Sequence, residues 1–251
     1  MKNKVNGENL WTRVLVKHCT TTQTMPGMIP SIWGPMVWRA IHGAAYQYDQ
    51  RTHLLTGYDA DTFCRFLVFI SWVLPCRDCR DSYTQHISYF LRSDDQGNRP
   101  IDEFFQCGYV QELACQIHDM VNIKLGKPSF NNPELAMRRS EVWSVEFTAK
   151  ELFGILFIIA LNYDSNGEQD KLSHYVNFYR ILPDFCDSLG HQRTARALED
   201  SGVGVVEPIE KDFQNRLVHM LYDALRRWYG GGPMPSLESV VERYAVCRSG
   251  S

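Results

Sequence analysis

Cys76 and Cys79 stand two residues apart in VLPCRDCRDSY, residues 73–83, directly after a long apolar run that ends in a proline. Two thiols at that spacing serve as a metal-ligand pair, as a redox-active disulfide or as inert core residues. Zinc takes four thiolate or imidazole ligands, ordinarily from two short-spaced pairs. Cys107 and Cys115, with seven residues between them, make a poor second pair, though Cys115 and His118 could serve instead. Burial as a small apolar residue suits Cys64 and Cys186. It suits Cys76 and Cys79 badly, because Arg77, Asp78, Arg80 and Asp81 surround them. The redox reading fits best. Pro75 marks the start of a helix, and a thiol at a helix N-terminus is favoured as thiolate by the dipole and the free N–H groups. Arg77 and Arg80 add positive charge, and a spacer of two residues on one turn lets the sulfurs bond. A thioredoxin-like pair would lie in an alternating β/α pattern, whereas the flanks here read as helical.

A disulfide alone only exchanges with other thiols, so net oxidation needs an electron acceptor. Cys115, His118 and Asn122 fall at i, i+3 and i+7 on one helical face, opposite an apolar stripe. The plain reading is a solvated face. Gly34, Trp38 and His42 share a second face at i, i+4 and i+8, whose plain reading is aromatic core. Two such faces flanking a redox pair would suit a large aromatic cofactor.

The elements that must position these residues read as helices throughout. Residues 1–26 form an irregular, Thr-rich extension, and MPGMIPS (25–31) punctuates it. A first helix starts near Trp33. A second, DTFCRFLVFISWVL, is apolar almost all round and so deeply buried, with Asp59 and Asp61 as candidate caps. A third runs through CRDCRDSYTQHISYFL and is followed by the loop RSDDQGNRP. A fourth, about 108–125, shows Val110, Leu113, Ala114, Ile117, Val121 and Leu125 at helical spacing; Gly126 stops it and Pro128 follows. Residues 143–163, 170–182, 191–200, 208–229 and 235–247 also read as helices, the amphipathic NRLVHMLYDALRRWY (215–229) packing within its own lobe. The expectation is an all-α chain of two lobes meeting near residue 140.

Bulk properties narrow the class. The chain has 251 residues, formal net charge −3 and mixed acids and bases, with no basic arm or stripe for nucleic acid. Eight cysteines are too thinly spread for a disulfide-stapled mini-fold. The longest apolar run, LFGILFIIAL (152–161), is too short to span a bilayer and reads as a core helix. The N-terminus lacks the apolar stretch of a secretory signal, so the expectation is a cytoplasmic protein with no membrane association. In a reducing compartment a paired disulfide is unusual unless it does chemistry.

Three segments carry a resemblance: IWGPMVWRAIHGAAYQY, FLVFISWVLPCRDCRDSY and CQIHDMVNIKLGKPSF. In order and spacing they resemble the signature segments of the Erv/ALR family of FAD-dependent sulfhydryl oxidases, over about residues 32–132. The resemblance implies an FAD-binding four-helix bundle with a short fifth helix, as a homodimer. Trp33, Gly34, Trp38, His42 and Tyr48 would contact FAD from the first helix. His118, Val121, Asn122, Lys124, Lys127 and Phe130 would do so from the fourth helix and its exit. Protein dithiols would be the substrates, with electrons passing through Cys76 and Cys79 to FAD and then to O2, giving H2O2. The alternative is a zinc-binding structural or interaction module built on Cys76, Cys79 and the Cys107, Cys115 and His118 group.

The chain departs from the family pattern in three places. Asp119 stands where an Asn ordinarily follows the fourth-helix His, and such an anion near a pyrophosphate should point away. Asn132 replaces the usual disulfide partner of Cys115, which leaves Cys115 free or paired with Cys107. No second CxxC collects electrons, although Cys19 and Cys247 lie in the terminal segments. The expected division is an extension (1–26), an oxidase domain (27–139) and a second all-helical domain of unassigned role (140–251). An oxidase lobe joined to an unrelated helical lobe is similar to sulfhydryl oxidases of large DNA viruses, which implies disulfide formation in virion proteins inside the host cell.

Overall fold

The computed structural model of the chain describes residues 30–95, 97, 99–129, 148–163, 171–207 and 212–245. Among these residues every regular element is helical, so the fold is all-α with a second helical region after the first bundle. The first 29 residues and the expected boundary near 140 lie outside the described residues.

Helix α1 (Pro30–Arg51) buries Trp33, Val37, Ala40, Ile41, Ala44, Ala45 and Tyr48, a stripe of three- and four-residue spacing. Helix α2 (Gly57–Val73) begins at Thr56, whose hydroxyl accepts the N–H of Asp59 while the Asp59 carboxylate reaches back to the Thr56 N–H at 2.7 Å. This corrects the expected caps. Asp59 closes a capping box from its third position, and Asp61 instead pairs with Arg65 one turn on, at 2.7 Å. Helix α3 (Arg77–Leu91) follows after only three residues.

The short helix α4 (Pro100–Cys107) was not read from its sequence. Pro at its start and Gly108 just past its end are its punctuation. Gly108 has φ 69°, and a Cβ there would come within 3.0 Å of the Thr52 hydroxyl, so both backbone and space require glycine. Helix α5 (Val110–Lys124) has no capping side chain of its own. Asp49, near the end of α1, caps it from across the bundle: its carboxylate accepts the N–H groups of Val110 and Gln111, each at 2.8 Å.

Helix α1 packs on α5, α5 on α3 and α3 on α2, with α4 against α3 and α5. The second region comprises α6 (Ala149–Leu161), α7 (Lys171–Arg180), α8 (Leu182–Ser188), α9 (Gln192–Asp200), α10 (Phe213–Tyr229) and α11 (Leu237–Ala245). Helix α6 is buried from Leu152 to Leu161, and α10 turns its apolar stripe onto α6 and α9. Helix α8 was missed because Pro183 reads as a breaker, yet it occupies the first turn, where no N–H partner is lost.

The two regions share one core. Phe66 of α2 stacks on Phe185 of α8 with centroids 3.9 Å apart, and Phe63 meets the same ring at 5.4 Å. That explains an apolar α2 on all sides: α3 covers one face, and α7 and α8 cover the other. Polar ties add to it. His191 Nε2 lies 3.1 Å from the Gln47 side-chain oxygen, Arg51 donates to the Ser188 carbonyl, and Tyr58 donates to Asp184. Among the described residues no helix is long and apolar enough to cross a membrane.

Removing the Asp49 carboxylate strands two helix N–H groups, so Asp49→Ala should lower unfolding free energy by about 1–2 kcal/mol in urea titrations. Burial lifts Asp49 to about 6, against its two backbone hydrogen bonds, which pull it down. A raised folded-state pKa favours the folded chain below the unfolded pKa, and that contribution is lost as pH rises through about 6. Wild-type stability should therefore fall relative to Asp49→Asn between pH 4 and 6.

Candidate active site

Cys76 and Cys79 are joined as a disulfide, with Cα atoms 5.1 Å apart. Cys76 is the N-cap of α3 in extended conformation, and its sulfur accepts the N–H of Cys79 at 3.2 Å. The pair thus sits on the positive end of the helix, where negative charge on sulfur is stabilised. Arg80 donates to the Leu74 carbonyl at 2.9 Å and ties the incoming chain to the first turn. Both cysteines are half-buried against the rim of the core.

A wall of rings forms between α1 and α5 and meets α3. Trp38 lies flat on His118, with centroids 3.9 Å apart and planes 3° from parallel. His42, fully buried, brings Nε2 to 2.9 Å from Nδ1 of His118. Tyr83, one turn past Cys79 on α3, places its ring 5.9 Å from Trp38. Burial above all, then the Lys127 charge, pushes His118 down to about 3, with Asp119 opposing. The imidazole is neutral at physiological pH.

The other sequence-expected residues divide. Asn122 is buried one turn beyond His118, and Val121 is half-buried. Lys124 and Lys127 are exposed around the helix exit, where Gly126 takes φ 66° and the Lys127 N–H closes on the Asn122 carbonyl at 2.9 Å. Asp119 accepts a hydrogen bond from Ser129 at 2.7 Å, which engages this carboxylate with the exit segment. Trp33 is buried. Gly34 faces open space, with nothing within 4 Å of an added Cβ, on the face shared with Trp38 and His42. Tyr48 lies apart from the ring wall, edge-on to Phe63 and Phe105, and burial lifts its hydroxyl to about 12. Phe130, Asn132, Cys19 and Cys247 lie outside the described residues.

Two residues and one contact were not found from the sequence. Tyr83 has a buried hydroxyl with no hydrogen-bond partner among the described residues, and its spacing of four from Cys79 was the available signal. Asp49 acts across 61 residues of chain, so no local pattern marks it. Cys115 and His42 approach each other across 73 residues, with Sγ 3.9 Å from Nδ1.

The donor set fits a planar aromatic cofactor such as FAD. It offers flat rings, the neutral His118 imidazole, a buried carboxamide, a buried phenol, an open glycine face and two cations at a helix exit. It fits zinc less well. Cys76 and Cys79 are bonded to each other, Cys107 is exposed and in no disulfide, and neither is Cys115. Among the described residues no three His, Cys, Asp or Glu side chains converge to hold a metal ion.

Residues 35–141 match the model of the Erv1 / Alr family. No curated protein and no solved structure matches the chain.

A lowered histidine pKa makes the folded chain bind fewer protons than the unfolded one between pH 6.5 and about 3. Unfolding free energy should therefore fall as pH drops through that window, and His118→Gln should lack this component. Urea titrations at stepped pH read both slopes.

Proposed function

Because residues 35–141 belong to the Erv1/Alr family, we propose that this protein is an FAD-linked sulfhydryl oxidase that forms disulfide bonds in protein substrates. The observation that carries the reading is the Cys76–Cys79 disulfide at the N-terminus of α3, with Tyr83 one turn on against the Trp38 and His118 rings.

A substrate thiolate attacks Cys76, the Cys76–Cys79 bond breaks, and Cys79 departs as thiolate, leaving a mixed disulfide on Cys76. A second substrate thiolate attacks the substrate sulfur of that bond and expels Cys76. The departing Cys76 thiolate lies at the helix N-terminus, where the Cys79 N–H and the dipole stabilise it. The products are a substrate disulfide and a Cys76/Cys79 dithiol. The chemistry that bound FAD supplies is acceptance of two electrons from that dithiol and their delivery to O2 as H2O2.

The residues that hold the cofactor in this reading are those of the two helical faces. Trp33, Gly34, Trp38 and His42 act from α1. His118, Val121 and Asn122 act from α5, and Lys124, Lys127 and Phe130 from its exit. Trp38 and His118 offer stacking surfaces, His42 and Asn122 hydrogen bonds, and the lysines counter-charge for phosphates. Tyr48 fits this set less directly, since its ring is engaged by Phe63 and Phe105. A homodimer is the functional unit that the family implies.

The purified chain should show a flavin absorption band that bleaches with dithiothreitol in air-free buffer and returns when air is admitted. Cys79→Ser should keep the band and lose dithiol-driven oxygen uptake. Near-normal dithiol oxidation by that variant would overturn the assignment of Cys79.

A further inference from the structure

We propose that Tyr83 is a cofactor-contacting residue, its hydroxyl donating a hydrogen bond to a polar edge atom of the flavin ring beside the Cys76–Cys79 disulfide. This contact deepens the oxidase reading and rests on it. Tyr83 is 3% exposed, and its hydroxyl has no hydrogen-bond partner among the described residues. Buried polar groups are ordinarily paired, and one left alone costs as much as a lost hydrogen bond. Tyr179 shows the ordinary arrangement in this chain, since its buried hydroxyl donates to the Leu156 carbonyl at 2.8 Å. A phenylalanine at position 83 would fill the same apolar place without that cost. The oxygen is therefore explained by a partner that is not part of the polypeptide.

Its position says which partner. Tyr83 follows Cys79 by one turn of α3, about 6 Å along the axis, and shares its face. Its ring lies 5.9 Å from Trp38, and Trp38 lies flat on His118. The phenol thus stands where the disulfide-bearing helix meets the ring wall. Electrons leave the Cys76/Cys79 dithiol only for a group that reaches the sulfurs. Under the oxidase reading that group is the redox-active ring of FAD, rather than its adenine or phosphates. The edge of that ring carries carbonyl oxygens and nitrogens that accept hydrogen bonds, and a phenol is a suitable donor. Burial above all, then the Cys64 thiol, raises the Tyr83 hydroxyl well above the usual tyrosine range, so it keeps its hydrogen. An ordered water is the competing partner, and it would serve the hydroxyl whether or not FAD is bound.

The test is a flavin fluorescence titration of the full chain, stripped of flavin and then given FAD, for wild type and Tyr83→Phe. Loss of one neutral hydrogen bond should weaken FAD binding by roughly three- to tenfold. In the absence of FAD, Tyr83→Phe should resist urea at least as well as wild type. Equal FAD affinities, or a FAD-free variant less resistant to urea than wild type, would overturn the proposal, because the hydroxyl then has its partner in the chain or in a water. A second replacement keeps both hydroxyl and shape. The chain carrying 3-fluorotyrosine at position 83, a stronger donor, should shift the flavin absorption band in the opposite direction from Tyr83→Phe. A band that ignores both changes, or moves the same way for both, would overturn the proposal as well. Wild type that binds no FAD removes the oxidase reading and this contact together, whereas equal binding by wild type and Tyr83→Phe removes the contact alone.

Discussion

The Asp49 carboxylate holds the first bundle in register. It accepts two N–H groups at the head of α5 from the tail of α1, so the two helices that carry the ring wall are pinned end to end. A helix start left without partners is costly when buried, and α5 offers no side chain of its own for the task. With that end fixed, the rise per residue along each helix places His42 opposite Cys115 and His118. Burial raises the Asp49 pKa even while the hydrogen bonds lower it, so the clamp works against a desolvation cost.

The disulfide owes its position to a different force. Helix α2 leaves only a narrow polar strip, with Asp61 and Arg65, to solvent, and it is packed by α3 on one side and by α7 and α8 on another. Only Leu74, Pro75 and Cys76 separate its last residue from the first turn of α3. The sulfur pair therefore hangs from the end of a helix packed on two sides, and Arg80 fastens the short connection. The half-buried disulfide has apolar packing behind it and the Arg80–Leu74 hydrogen bond beside it.

Much of this was legible from sequence where the signal was local. The CxxC pair, the proline before it and the flanking arginines marked a helix N-terminus, and Cys76 does cap α3. The nearly all-round apolar character of residues 61–74 foretold deep burial, though not that helices more than a hundred residues later would supply much of it. Short helices escaped: PIDEFFQC is eight residues with a mixed pattern, and LPDFCDS carries a proline that looks like a stop. Caps shifted by a few residues because Thr56, upstream of the expected aspartates, begins α2. The His42–His118 bond spans 76 residues; the two helical faces suggested one cofactor site and the family resemblance named both residues in it, but neither implied a direct bond between the rings. Neither periodicity nor resemblance pointed to Asp49, Tyr83 or the Cys115–His42 approach, because each depends on how helices pair rather than on what one helix contains.

The stacking of Phe66 on Phe185 also bears on how this chain can be handled. A shortened piece ending before α6 would keep every residue of the redox site, yet it would turn the Phe63 and Phe66 side of α2 out to water. An apolar strip of that length on a soluble fragment invites self-association. Such a piece would be recovered as aggregates or would need a surrogate helix to shield it, so the disulfide-bearing segment is portable in sequence but not in solution.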